Sequence, residues 1–402
     1  MNARRPLPTL VVAAALALGA AISLGLARFS YALLLPPMRA DLGWSYFTAG
    51  AMNTVNAVGY LAGALAAPAA LRRFGARRVF LGGAVLTALA LFAHGLVLAD
   101  GSLYVLRFAT GVGSAGTFVA GGLLAARLVV APTAGDGGGR GGSGLVLGIY
   151  YGGTGLGIIA SALLVPILAE RPAPHSWQGA WFGLAALAAI ATAVAALATR
   201  IASDATAAST PHAARSRVDV FALAPALVAY LLFGLGYIGY MTFVITLLRE
   251  ERLAGGLVIV FFAMLGAAVI ASSWLWAGLL QRARGGGALA LLNALVALAT
   301  LLPVVSTHPA VAFASGLLFG AVFLSLVAST TALVRHNLAP ADWPAGIAAF
   351  TIVFAAGQIV GPSAVGLIAD HFGGLRAGFA CSAAVLALAA IVATRQKPIG
   401  AA

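Results

Sequence analysis

The first long apolar run of the chain contains the stretch LGLARFSYALLLPPM, Leu24–Met38, in which one charged residue, Arg28, stands among hydrophobic neighbours. The run begins near Leu10 and exceeds the roughly 20 residues that an α-helix needs to cross a bilayer. Further apolar runs of similar length follow to the end of the chain, rich in Ala and Leu and without the period-2 alternation of barrel strands. The sequence therefore predicts an all-α membrane protein.

The composition supports this class and argues against several others. Of 402 residues, 62% are hydrophobic and 8% are charged, whereas a soluble domain carries about 25% charged residues. The net charge is +13, but the arginines are scattered over short loops, which excludes a nucleic-acid partner. The single cysteine, Cys381, forms no internal disulfide, and the sequence shows neither a metal-ligand cluster nor an enzyme motif. We expect no cofactor, no metal and no enzymatic activity.

Twelve transmembrane helices are predicted. They begin near Leu10, Phe47, Val79, Leu103, Gly144, Trp177, Val220, Gly255, Ala288, Pro309, Ala345 and Gly374. The longest polar stretch, RIASDATAASTPHAARSRVDV, Arg200–Val220, is typical of a flexible linker. The predicted domains are thus an N-terminal six-helix bundle, 1–199, a cytoplasmic linker, 200–219, and a C-terminal six-helix bundle, 220–402.

The distribution of cations predicts the orientation. If the N-terminus is cytoplasmic, sixteen of the 23 Lys and Arg residues lie in inside segments, five in outside segments and two within spans. This bias follows the positive-inside rule. We expect a multi-pass protein of the bacterial inner membrane with both termini in the cytoplasm.

The two halves of the chain also echo each other. The segment GTGLGIIASALLVPILAE, 153–170, in the fifth span is similar to GQIVGPSAVGLIAD, 357–370, in the eleventh. Duplicated helical halves with a site between them are a transporter architecture.

Three motifs resemble those of the major facilitator superfamily. The segment RRFGARRVFLGG, Arg72–Gly83, is similar to the basic loop between the second and third helices of that family. RFATGVGSAG, Arg107–Gly116, matches its fourth-helix pattern, and GIYYGGTGLG, 148–157, its glycine-rich fifth helix. LARFSYALLLPPMRADLGWS, GYLAGAL, GLGYIGYMTF and FTIVFAAGQIVGP further resemble the bacterial YbfB/YjiJ-type branch. The resemblance implies the major facilitator fold, with two pseudo-symmetric six-helix bundles and alternating access.

The basic loop departs from the family pattern, which has a glycine followed four residues later by an aspartate. Pro68 and Arg72 occupy those positions, while a closer match, GLIADHFG, Gly366–Gly373, lies at the end of the eleventh span. The residues for which the resemblance implies a gating or cytoplasmic-loop role are Arg72, Arg73, Gly75, Arg77 and Arg78.

Ionisable residues within spans are candidates for function. Arg28 has two open interpretations: a cation that lines a central cavity, or a structural residue bonded to carbonyls of a neighbouring helix. Tyr31 lies three residues after Arg28 and shares its helix face, and Asn53, Asn56 and Tyr60 form a polar stripe on one face of the second span. These residues could line that cavity or join helices. For Arg107 we favour a structural role. The substrate-binding candidates are Arg28, Tyr31, Asn53, Asn56, Tyr60, Arg107, Tyr237, Tyr240 and Gln358.

These patterns predict a secondary transporter of a small solute, either an organic anion or a zwitterion. All ten acidic residues fall in loops or at span ends, so no carboxylate proton relay is predicted inside the membrane. The alternatives are an exporter of apolar or drug-like compounds and, in another class, a non-transporting membrane sensor. The expected partners are a small-molecule substrate and the lipid bilayer, and the chain is expected to act as a monomer.

Overall fold

The structure is a computed structural model that describes residues 9–130, 141–169, 171, 173–202 and 221–399. Within these residues, twelve helices are long and apolar enough to cross a membrane, and no β-strand is present. The prediction of an all-α membrane protein with twelve transmembrane helices is confirmed.

The twelve spans are numbered α1 to α12 in chain order. They are α1 Thr9–Leu42, α2 Tyr46–Phe74, α3 Ala76–His94, α4 Asp100–Leu128, α5 Leu145–Ala169, α6 Trp177–Thr199, α7 Ala224–Glu250, α8 Gly255–Arg282, α9 Gly287–Val305, α10 Pro309–Asn337, α11 Trp343–His371 and α12 Leu375–Ala393.

Helix α1 is not uniform. It is α-helical over Thr9–Ala20 and Tyr31–Leu42, but nine of the ten residues between them, Ala21–Phe29, form a π-helix. The wider turn is visible in the bond from Ser30 N–H to Gly25 O, 3.0 Å, which spans five residues instead of four. The backbone of α1 lies directly against α5 here, because Gly25 faces Gly157 with no room for a Cβ atom.

The chain packs as two compact units. The first comprises Met1–Asp41 and Val55–Ser209, and the second comprises Leu42–Thr54 and Thr210–Ala402. The first nine residues of α2 therefore pack with the second unit. The domain boundaries expected from the sequence, 1–199, 200–219 and 220–402, stay predictions, and the expected linker lies outside the described residues except for its first three positions.

The helix contacts of the two units follow one scheme. In the first unit, α1 packs on α5 and α6, α3 packs on α4 and α6, and α2 packs on α4. In the second unit, α7 packs on α11 and α12, α9 packs on α10 and α12, and α8 packs on α10. Adding six to each helix number of the first unit gives the pairs of the second, so the two bundles are pseudo-symmetric.

Glycines explain the closest of these contacts. A Cβ atom at Gly153 or Gly157 of α5 would overlap the carbonyl oxygens of Ala17 and Ala21 in α1. Small residues four apart let two helix backbones approach in this way. The same contact recurs between α11 and α7, where Gly357 and Gly361 face the carbonyl oxygens of Leu231 and Leu235.

Polar contacts also join corresponding helix ends. Asp41, at the end of α1, accepts a hydrogen bond from Trp177 Nε1 at 2.6 Å and contacts His175 Nδ1 at 2.5 Å, which ties it to the start of α6. In the second unit, Glu251 follows α7 and pairs with Arg376 of α12 at 2.6 Å. Each unit therefore links the end of its first helix to the start of its sixth.

Candidate functional site

Five of the nine candidate residues lie together in the first unit. They are Arg28 and Tyr31 on α1, Asn56 and Tyr60 on α2, and Arg107 on α4. Four are buried, and Tyr60 alone of the five keeps partial exposure. Three helices, α1, α2 and α4, thus bring a polar cluster together within the spans of the unit.

Arg28 lies in the π-helical part of α1 and is 4% exposed. Its guanidinium carbon lies 5.6 Å from the centroid of the Tyr60 ring, a cation–π geometry. π-Helical turns are rare and frequently occur at functional sites. This local geometry makes the Arg28–Tyr60 side of the cluster the candidate position for ligand binding.

Arg107 is held by contacts typical of a packing residue. Its Nη1 donates to Ala27 O at 3.0 Å, and its guanidinium carbon lies 4.6 Å from the centroid of the Tyr31 ring. The backbone carbonyl of Arg107 accepts a hydrogen bond from Asn56 Nδ2 at 3.0 Å. Together these bonds fasten α4 to α1 and α2 to α4.

The interior of this bundle carries positive charge. Arg28 and Arg107 lie within spans and interact electrostatically with each other. In the described part of the first unit, the acidic residues are Asp41 and Asp100, which lie at the end of α1 and at the start of α4. Two buried guanidinium groups therefore lie within the spans of this unit, away from its described carboxylates.

The predicted polar stripe of α2 is divided between the two units. Asn53 belongs to the second unit, where its Nδ2 donates to Thr242 Oγ1 at 2.7 Å, and Thr242 in turn donates to Ile238 O at 2.7 Å. Asn56 and Tyr60 belong to the first unit. Residues on one helical face are thus placed in two different environments.

Tyr237 belongs to a stack of nearly parallel rings in the second unit. Its ring centroid lies 4.7 Å from that of Phe233, 5.6 Å from that of Phe354 and 6.0 Å from that of Phe323, with interplanar angles of 20° or less. Gln358, 3% exposed, follows Phe354 by one turn of α11. This part of the second unit is a buried stack of aromatic rings with an amide one helical turn from it.

Tyr240 joins helices within the second unit. Its ring stacks on Phe319 at 4.1 Å, and its hydroxyl shares a 2.7 Å hydrogen bond with Ser315 Oγ. Ser315 also donates to Ala299 O at 2.6 Å, so the network links α7, α10 and α9. These contacts are those of a packing residue.

The arginines of the basic loop lie at one end of the first unit. Arg72 and Arg73 are exposed at the end of α2, and Arg77 and Arg78 occupy the first turn of α3. Gly75 between them adopts φ 79°, a left-handed conformation that favours glycine and allows the tight turn from α2 to α3. Arg77 Nη2 donates to Ala196 O of α6 at 3.3 Å.

Sequence reasoning missed a contact made by Asp370 at the end of α11. Its two carboxylate oxygens accept the backbone N–H groups of Tyr46, at 2.9 Å, and Phe47, at 2.8 Å, within the second unit. The Tyr46 hydroxyl also donates to Glu250. A carboxylate at a helix start satisfies free donors and complements the helix dipole. The motif GLIADHFG was the available signal for this contact.

A sequence family described as "Uncharacterised MFS-type transporter YbfB" matches residues 20–394. The chain belongs to this family. It is therefore a transporter of the major facilitator superfamily, an integral multi-pass membrane protein and not an enzyme. No protein of curated function matches the sequence significantly.

Solved structures agree on the fold. The transporter is similar to a mutant form of the nucleoside transporter NupG, with a TM-score of 0.73, 14% identity, and coverage of 96% of this chain and 100% of the other. It is also similar to an inward-facing, occupied bacterial homolog of the human lysosomal transporter Spinster, with a TM-score of 0.73, 12% identity, and coverage of 96% and 95%. The predicted major facilitator fold is confirmed.

Proposed function

We propose that the transporter moves a small organic anion or zwitterion across the bacterial inner membrane by alternating access. The observation that supports this most directly is the pair of buried guanidinium groups within the spans of the first unit. A buried cation in a membrane protein is costly and commonly marks a substrate or ion pathway. A carboxylate is the ligand that a planar guanidinium binds best, through two parallel hydrogen bonds.

Arg28 is the proposed charge contact, and Arg107 its structural neighbour. The Arg107 guanidinium is engaged by Ala27 O and the fully buried Tyr31 ring. The Arg28 guanidinium lies over Tyr60, the partly exposed member of the cluster. A ligand that reaches Tyr60 therefore comes within range of Arg28 first.

We infer the orientation from the loop charges. Most cations fall in the segments on the side of the N-terminus, so this side is the cytoplasmic one by the positive-inside rule. Both termini then lie in the cytoplasm.

A second candidate function is the export of apolar or drug-like compounds. The parallel rings of Phe233, Tyr237, Phe323 and Phe354 in the second unit support it. Apolar ligands bind sites lined by aromatic faces and a few polar groups. The two candidates differ in whether transport depends on the charge of Arg28.

Uptake by the purified, full-length transporter in liposomes tests the anion proposal. A panel of radiolabelled mono- and dicarboxylates and amino acids is offered in counterflow to wild type and to Arg28→Gln. We expect at least one acid to be transported, and Arg28→Gln to lower its uptake by about tenfold or more, since a hydrogen bond to a charged group contributes about 1.5–3 kcal/mol. Arg28→Lys should keep part of the activity, because the charge remains.

Arg282→Gln, an exposed position in the second unit, is the matched control and should transport like wild type. Full anion uptake by Arg28→Gln would contradict the role of Arg28. Transport of apolar compounds alone, unaffected by Arg28→Gln, would favour the exporter.

A further inference from the structure

A cavity of about 280 Å³ opens at the end of the first unit where α1 and α3 begin. A single water molecule needs only roughly 10–15 Å³ of such space, so the cavity has room for a polyatomic group. It is distant in sequence and in helix position from the Arg28 cluster. None of the residues proposed to bind the transported solute lines it.

Three arginines line this cavity: Arg77 and Arg78 from the first turn of α3, and Arg127 from the end of α4. The acidic residues of the first unit's described part, Asp41 and Asp100, lie at the opposite ends of their helices. Arg77 donates through Nη2 to Ala196 O, while its Nε is buried and has no hydrogen-bond partner among the described residues. The cavity is therefore lined by three positive charges and by no acidic residue.

The start of α3 adds backbone donors at the same place. Gly75 caps the helix without a side chain, and the N–H of Val79 makes the first bond back to Gly75 O. The N–H groups of Ala76, Arg77 and Arg78 precede that bond and lie in residues that line the cavity. A helix start of this kind, with no acidic residue in its first turn, favours a bound anion.

The remaining wall is apolar. Val12 and Leu16 of α1 face Leu124 and Leu128 of α4, and Phe74, half exposed, stands at the rim. This lining suits an occupant with a compact anion at one end and a hydrocarbon at the other. Basic pockets between transmembrane helices at the membrane surface bind lipid headgroups.

We infer that this cavity binds the phosphodiester headgroup of an anionic phospholipid, with the acyl chains along the α1–α4 wall. Arg78 and Arg127 supply charge and paired donors to the phosphate oxygens, as arginine does for phosphates generally. The first-turn N–H groups of α3 add backbone donors at the same end of the cavity. The inference concerns a bound lipid and is independent of the transported solute.

Native mass spectrometry of the full-length transporter in detergent provides the test. Phosphatidylglycerol, cardiolipin, zwitterionic phosphatidylcholine and inorganic phosphate are titrated separately onto wild type and the double variant Arg78→Gln/Arg127→Gln. We expect one phosphatidylglycerol or cardiolipin to be retained by wild type, and its affinity to fall about tenfold or more in the double variant, because charge-assisted bonds are lost. Arg395→Gln, an exposed arginine of the second unit, should bind lipid like wild type.

Several results would overturn the inference. One is equal retention of anionic lipid by wild type and the double variant, and another is equal retention of phosphatidylcholine. Inorganic phosphate that displaces phosphatidylglycerol at equal concentration would assign the cavity to free phosphate instead. Because the double variant could fold poorly, Leu128→Trp serves as a second variant. Leu128 lines the apolar wall and is only partly buried, and its replacement keeps all three arginines. It should lose lipid binding, and retained binding in a variant that elutes as a single monodisperse species would contradict the site.

Discussion

Arg107, one of the two buried arginines of the first unit, shows how contacts with neighbouring helices stabilise a charge within a span. A charge at the centre of a bilayer costs at least about 2.5–3.5 kcal/mol. At Arg107, a bond to Ala27 O and the face of Tyr31 offset much of that cost, since such contacts contribute about 1.5–3 and up to roughly 2 kcal/mol respectively. The Arg107 charge is therefore tolerated because its guanidinium meets a carbonyl oxygen and an aromatic face at once.

Arg107→Lys tests this contribution, because it keeps a basic side chain and removes the planar guanidinium. An ammonium group cannot reproduce a planar fork that donates to Ala27 O while covering Tyr31. We expect the free energy of unfolding to fall by about 1–3 kcal/mol, measured as a lower Tm of the detergent-purified protein.

The matched control for this substitution is Arg252→Lys in the exposed turn between α7 and α8. It should change the stability by no more than about 0.5 kcal/mol. An unchanged Tm for Arg107→Lys would show that the observed contacts do not stabilise the bundle.

At the scale of the helix, backbone contact between α1 and α5 organises the first unit. Gly153 and Gly157 leave no space for a side chain against the α1 carbonyls, and Gly25 meets Gly157 at the π-helical segment. The separation of these two helices is therefore fixed by glycine and not by interdigitating side chains. A single added methyl group at this contact must move one helix.

The pair Gly153→Ala and Gly179→Ala tests this fixed separation. A Cβ at Gly153 would overlap Ala17 O, whereas a Cβ at Gly179 of α6 meets no atom within 4 Å. We expect Gly153→Ala to lower stability by about 1–3 kcal/mol, as overpacking does. Gly179→Ala should leave Tm unchanged or raise it slightly, because alanine favours the helix. Equal effects of the two substitutions would contradict tight packing between α1 and α5.

Much of the helix pattern was predictable, because a membrane span needs about 20 apolar residues and little else. The predicted starts at Trp177, Gly255 and Pro309 coincide with those observed. Helix α7 begins at Ala224 instead of near Val220, with Pro225 in its first turn, where proline is tolerated. The π-helix was not predictable, since α-helical spacing was assumed throughout α1 and composition does not mark the change of hydrogen-bond pattern.

At the scale of the whole molecule, the candidate site was only partly predictable. Arg28 and Arg107 were identifiable because charge inside a span is rare. The aromatic partners of the two arginines were not identifiable. Tyr31 was expected beside Arg28, yet the ring of Tyr31 lies under the Arg107 guanidinium. The ring under the Arg28 guanidinium is that of Tyr60. Such pairs depend on how helices pack, which spacing within one helix does not encode. Asp370 contacts residues more than 300 positions away for the same reason.

The charge asymmetry of the loops makes a prediction about membrane topology. The chain has one cysteine, so Cys381→Ser gives a background without cysteine. In that background, Arg252→Cys, after α7, should react with a membrane-impermeant maleimide in intact cells. Arg284→Cys, between α8 and α9, should react only after the cells are permeabilised. The reverse pattern would contradict cytoplasmic termini.

The π-helical segment of α1 has a consequence for how this helix can evolve. Residues Ala21–Phe29 fit more residues into each turn than the α-helix on either side, so the side chains that follow are rotated from the positions an uninterrupted helix would give them. Loss of one residue here would let the segment relax to regular geometry and turn the half from Tyr31 to Leu42 about its axis. In related carriers, a residue inserted or deleted at this point would thus rotate the second half of α1 about its axis. A substitution would leave that orientation unchanged.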